Sequence, residues 1–148
     1  MGKRKMRTPS PSVPTAREIV GGPGLMPRRK YRLREAELQR AVVDAFAGAG
    51  RLVWSQVDCG FAGVADVITE DEVYELKDWM TRRTLYQAIG QVKGYSTYLS
   101  RLLERVLRPY IICNGTNLSA RKREKFEDLH GVPIIIWGDP PWVRTQRT

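Results

Sequence analysis

The chain predicts an α/β domain in which a mixed sheet carries helices on both of its faces. Three observations lead there. Apolar residues recur at helical spacing in two separate stretches and a strongly charged stretch reads as a third helix, short β-rich runs alternate with these stretches, and runs such as Ile134 to Ile136 are apolar at every position. A strand that is apolar on both sides fits only a sheet covered above and below. The 148 residues suit one domain of this kind, since a single core of ordinary size needs about 100 to 150.

The elements follow in order. From Arg34 to Ala49, Leu38, Ala41, Val42, Ala45 and Phe46 repeat at helical spacing, and Gly48 and Gly50 end the pattern. Arg51 to Asp58 carries Leu52, Val53, Trp54 and Val57 and reads as a strand. Beyond Gly60 and Gly63, Val64 to Thr69 and Glu72 to Lys77 are two more β-rich runs. A second helix from Thr84 to about Val106 is marked by Leu85, Ile89, Val92, Leu99, Leu102 and Leu103, with Arg108-Pro109 closing it. Tyr110 to Cys113 is a short strand, Leu118 to Leu129 a charged helix, and Val132 to Trp137 a last strand. The predicted order is αβββαβαβ.

Residues 1 to 30 stand apart. They hold five of the nine prolines and little apolar periodicity, which predicts an unstructured arm. Of the net charge of +9, this arm carries +7 and residues 31 to 148 carry +2. Excess lysine and arginine point to a polyanionic partner, and here the electrostatic attraction belongs to the arm rather than to the folded domain. Its use along phosphates and a solvated tail that aids solubility are both open. No apolar run approaches the roughly 20 residues of a membrane span, and no apolar stretch follows Lys3, Arg4 and Lys5, so a cytoplasmic protein is expected. Cys59 and Cys113 lack the spacing of a zinc site and read as small buried residues. A single histidine, His130, excludes nucleases built on paired imidazoles.

The chemistry concentrates in the segment from Gly63 to Lys77. If Glu70 and Asp71 form a two-residue turn, Thr69 faces Glu72 and the same register sets Asp66 directly opposite Glu75. Opposed residues have Cβ atoms roughly 4.5 to 5.5 Å apart, where like charges repel unless a cation lies between them. Lys77 lies two residues beyond Glu75 and projects to the same side. Val64, Ile68 and Val73 share that face in this register, which argues against a solvated salt-bridge ladder, because unpaired carboxylates among apolar neighbours are costly. Hard oxygen ligands of this kind suit Mg²⁺, and the Leu76 backbone is a candidate further ligand. A bound metal would activate water against a phosphodiester while Lys77 offsets developing charge. From the first helix, Glu35 and Glu37 are candidates to reach the same cluster. Glu35 is favoured, being three and seven residues before Leu38 and Val42 on the buried stripe.

A helix glutamate, a hairpin aspartate and Glu75-Leu76-Lys77 on the next strand together resemble the PD-(D/E)XK nuclease superfamily. The likeness extends to Thr84-Leu-Tyr-Gln-Ala-Ile-Gly-Gln-Val-Lys-Gly-Tyr95, which is similar to the glutamine-bearing helix that follows the lysine strand in many branches, with Gln87 and Gln91 at the matching positions. It covers about residues 31 to 137 and departs from the motif in placing Ala65 where the naming proline stands. The resemblance implies a restriction-endonuclease-like αβββαβ core and a Mg²⁺-dependent endodeoxyribonuclease in which Mn²⁺ substitutes. It implies DNA as partner, a homodimer or higher oligomer, catalytic roles for Asp66, Glu75, Lys77, Glu35, Gln87 and Gln91, and metal ligation by Asp66, Glu75, Leu76 and Glu35. A mobile-element, phage or restriction-type enzyme is expected. A Holliday junction resolvase and a nuclease fold that binds without cutting are the alternatives. Trp79, directly after the lysine strand, and the basic stretch Arg121, Lys122, Arg123 and Lys125 are further candidates for contact with nucleic acid.

Overall fold

The computed structural model describes residues 33–138, so the arm of residues 1 to 30 and the Pro-rich end lie outside the described residues. Its elements run α1 (Leu33–Gly48), β1 (Val53–Asp58), a 3₁₀ turn (Gly60–Ala62), β2 (Val64–Thr69), β3 (Glu72–Met80), α2 (Arg82–Leu103), β4 (Arg108–Thr116), α3 (Ala120–His130) and β5 (Ile134–Ile136). The order is the αβββαβαβ read from the sequence.

The five strands form one mixed sheet in the order β1-β2-β3-β4-β5. Two antiparallel pairings, β1 with β2 and β2 with β3, give way to two parallel ones, β3 with β4 and β4 with β5. Parallel neighbours need a crossover, which α2 and α3 supply. Apolar side chains then collect in two clusters. Leu38, Val42, Val43 and Phe46 of α1 pack with Val53, Val67, Tyr74, Leu76 and Ile112. Leu85, Ala88, Ile89, Val92, Tyr95 and Leu99 of α2 pack with Trp54, Ile68, Val73 and Ile111, and Phe126 of α3 joins them. Separate clusters mean that α1 covers one face of the sheet and α2 with α3 the other. No helix among the described residues is long and apolar enough to cross a membrane.

Element ends follow local chemistry. α2 begins two residues before the apolar periodicity does, because Thr81 and Thr84 form a capping box: the Thr84 amide donates to Thr81 Oγ1 at 3.2 Å and the Thr81 amide to Thr84 Oγ1 at 2.8 Å. Arg108-Pro109 does not close the helix as expected. α2 ends at Leu103 with Glu104 in the left-handed region at φ 57°, and Arg108 and Pro109 already belong to β4. The proline is tolerated near the start of that strand, where few ladder bonds are forgone.

The turn between β2 and β3 is pinned from several sides. Arg51 Nη2 lies 3.0 Å from both Asp71 Oδ1 and Glu72 Oε1, and Arg105 Nε donates to the Glu70 carbonyl at 2.7 Å. The Arg108 amide donates to the Asp71 carbonyl at 2.9 Å. These bonds hold the register on which the site depends.

Candidate active site

The β2–β3 ladder pairs Val67 with Tyr74 and Ile68 with Val73, the register expected from a two-residue turn. Its next rung opposes Asp66 and Glu75. There the backbone ladder stops, and the Leu76 amide donates instead to Asp66 Oδ2 at 2.9 Å. The β1–β2 ladder also skips Asp66: it pairs Ser55 with Val67 and Val57 with Ala65, leaving out Gln56, which stands at φ 54°. Left-handed backbone is costly for a residue with a side chain and persists only where its surroundings hold it.

That local break has two consequences. Residues 54 and 57, like residues 68 and 65, pack in the same α2-side cluster, so the in-out alternation of both strands reverses across Gln56 and Asp66. Ile68 and Val73 lie in that core as expected, whereas Val64, expected on the same face, is exposed. The second consequence is a bridge. Gln56 Nε2 donates to Gln39 Oε1 on α1 at 2.7 Å and lies 3.3 Å from Asp66 Oδ1. Both Asp66 oxygens are thus aimed by groups from neighbouring strands.

Burial is the decisive quantity. Asp66 is 9% exposed and Glu75 5%, which excludes the solvated ladder as an account of these carboxylates. Lys77 Nζ lies 3.5 Å from Glu75 Oε2, and Glu75 Oε1 is buried with no hydrogen-bond partner. Burial holds the Glu75 carboxyl well above the usual carboxylate range, and the charge of Asp66 pushes it further, with Lys77 opposing both. A cation between Asp66 and Glu75 would relieve the desolvation and the repulsion together.

The other expected site residues are placed less centrally. Among the described residues no three His, Cys, Asp or Glu side chains gather closely enough to hold a metal ion, so Glu35 does not complete a three-carboxylate set. From α1, Gln39 is linked to Asp66 through Gln56; it lies one turn beyond Glu35 on the same helical face and is 4% exposed. Leu76 engages Asp66 through its amide. Gln87 and Gln91 are exposed, off the stripe of Leu85, Ala88, Ile89 and Val92 that α2 buries. On α3, Arg121, Lys122 and Lys125 are exposed, while Arg123 Nη1 donates to the Leu118 carbonyl at 2.7 Å. Cys59 and Cys113 are buried free thiols, raised by burial to about 12 and about 11, which leaves them protonated and without a nucleophilic role at neutral pH.

Gln39 and Gln56 were not legible as site residues from the carboxylate pattern. A signal for Gln39 existed, since it is a polar residue on the apolar stripe of α1. None existed for Gln56, whose importance arises from a backbone angle. Compared with known proteins, the chain matches no family model, no curated protein and no solved structure.

Proposed function

We propose that this protein is a divalent-metal-dependent endodeoxyribonuclease with a restriction-endonuclease-like core, its cutting centre made of Asp66, Glu75 and Lys77. The observation that carries this reading is the buried Glu75 Oε1, without a hydrogen-bond partner, on a carboxylate that adjoins Asp66 on one side and Lys77 on the other. A buried polar atom left unpaired costs roughly 1–3 kcal/mol, more when charged, and a cation ligated there would remove that cost. Two carboxylates suffice for Mg²⁺, which keeps several waters and bridges to phosphate. When bound, such an ion supplies Lewis acidity toward a phosphate oxygen and a water of lowered pKa.

The chain's own residues do the rest. Asp66 and Glu75 present oxygens at fixed positions because the Leu76 amide and Gln56 aim Asp66 while Lys77 holds Glu75. Lys77 keeps a positive charge beside the carboxylates, where it draws in a phosphate and offsets negative charge developing on it. The buried surroundings strengthen both effects by excluding water. Cutting both strands of a duplex needs two such centres, which favours a homodimer or higher oligomer, and the basic arm of residues 1 to 30 suits DNA as partner. A mobile-element, phage or restriction-type role accords with a single small nuclease domain.

A second reading is a nuclease fold that holds nucleic acid without cutting it, favoured by the absence of a three-ligand group among the described residues. Incubation of the protein with supercoiled, linear, branched and single-stranded DNA in Mg²⁺ decides between them, with Asp66→Ala and Lys77→Ala as controls. Cleavage that both variants lose supports the nuclease. Failure of the unmutated protein to cut any of the four forms, with binding to one of them retained, supports the binding module.

A further inference from the structure

Beyond the cutting centre, β3 continues to Trp79. The register pairs Lys77 with Cys113 and Trp79 with Gly115 on β4. Asp78, between them, accepts from Arg34 Nη1 of α1 at 3.4 Å and from Asn114 Nδ2 at 3.0 Å, so it turns toward the α1 face. Lys77 turns to the other, beside Cys113 of the α2-side cluster, and Trp79 is placed there by its ring packing on Gly115, two residues beyond Cys113 on β4, while Met80 at the end of β3 enters the same cluster. Trp79 stands about 6.6 Å along the strand from Lys77, and Glu75, Lys77 and Trp79 form a row of carboxylate, cation and indole.

The indole is built into this position. Its six-membered ring lies against the main chain of Gly115 so closely that a Cβ on that residue would meet Cζ3 at 2.6 Å and Cε3 at 2.9 Å. Only glycine leaves room for the ring. Shielding a strand glycine is itself stabilising, but it uses one side of the indole, and Trp79 remains 56% exposed. In contrast, Trp54 is 4% exposed within the core. A rigid, open aromatic surface beside a phosphate-binding cation has the chemistry of a base-stacking platform.

We propose that Trp79 stacks an unpaired base of the strand whose phosphate is held at Asp66, Glu75 and Lys77, which makes single-stranded or locally unpaired DNA the preferred substrate. This rests on the nuclease reading for the position of the phosphate. In an intact duplex both faces of each base are already covered by its neighbours, so an indole gains a partner only where pairing and stacking are interrupted. Stacking of this kind accepts any base, because every base has a π face.

The test uses the full chain with Ca²⁺ in place of Mg²⁺, and a labelled single-stranded oligonucleotide beside a duplex of equal length. Single strands should bind more tightly than duplex. Trp79→Ala should weaken single-strand binding roughly tenfold and leave duplex binding unchanged, and Trp79→Phe should restore most of the loss. Unlabelled single strands should quench tryptophan fluorescence in the unmutated protein and much less in Trp79→Phe, whose thermal midpoint should match the parent. Unmutated single-strand affinity in Trp79→Ala, quenching that persists in Trp79→Phe, or equal losses on both DNA forms would each overturn the platform. Absence of cleavage in Mg²⁺ with these binding differences intact would defeat the nuclease reading alone, and no binding of either DNA would defeat both.

Discussion

The Leu76 amide donates to Asp66 Oδ2 at 2.9 Å, at the rung where the backbone ladder between β2 and β3 ends. A side chain takes over a hydrogen bond that a strand partner would otherwise make. The carboxylate is therefore both a structural acceptor and a candidate metal ligand, and substitution can separate the two roles. Asp66→Asn retains an oxygen for Leu76 but loses the negative charge. With an NH2 group set against Gln56 Nε2, its thermal midpoint should fall modestly, while cleavage falls by at least about 100-fold, the upper end of what outer-sphere partners of a metal cost. Unimpaired cutting by this variant would remove Asp66 from the metal site.

Gln39 acts at one remove. Replacing it with Ala removes the 2.7 Å acceptor of the half-buried Gln56 amide, which keeps Asp66 Oδ1 as a partner, and should cost roughly 0.5–1.5 kcal/mol in denaturant unfolding. Freed from Gln39, Gln56 should hold Asp66 less firmly, with Mg²⁺ affinity lowered about 10- to 100-fold by calorimetry. Gln39→Glu keeps an oxygen that accepts from Gln56 Nε2 and should restore most of the metal affinity that Gln39→Ala loses.

Gln56 tests the backbone. Gly accepts φ 54° freely whereas a β-branched residue does not, so Gln56→Val should be less stable than Gln56→Gly by roughly 1–3 kcal/mol, although both lose the same side-chain bonds. Equal stabilities would show that the left-handed conformation relaxes on substitution.

Without metal, Glu75 also sets a pH dependence. Its folded carboxyl titrates well above the unfolded one, mainly through burial and next through Asp66. The neutral form is the one the fold favours, so this contribution to stability is fully present below the ordinary glutamate range and is lost as pH rises through the raised value. In EDTA, the unfolding free energy should fall with rising pH over that interval, and Glu75→Gln should flatten the fall. Added Mg²⁺ should stabilise the parent more at the alkaline end, where its binding no longer displaces a proton.

Removing residues 1 to 30 deletes eight cations and one anion. DNA affinity should drop and the slope of log affinity against log salt should become shallower, by about 0.9 for each phosphate that the arm no longer neutralises, with Mg²⁺ affinity unchanged. An unaltered slope would show that the arm does not touch phosphates.

These tests mark what was legible in the sequence. Element order, the turn at Glu70 and Asp71 and the meeting of Asp66 with Glu75 all follow from period-two alternation, which is a local rule readable from residue types. The extent of the strands was less so: β3 reaches Met80 and β4 starts at Arg108, because parallel pairing extends both beyond their apolar runs. The same alternation failed for Val64, since it assumes regular backbone and the ladders on both sides of β2 break at Asp66. Helical phase places Glu35 on a face of α1 and leaves its depth along the axis open. Gln39 shares that face one turn deeper, where α1 meets β1.

The clamped turn has a consequence for how such a site is inherited. Eight residues separate Asp66 from Glu75, and one more or one fewer would carry every β3 side chain through to the opposite surface, presenting Tyr74 or Leu76 to Asp66 in place of Glu75. Within the hairpin many identities can drift while their number cannot. What is transmitted is a length as much as a motif, and descendants of this chain should vary by substitution between these two residues and hardly ever by insertion or deletion.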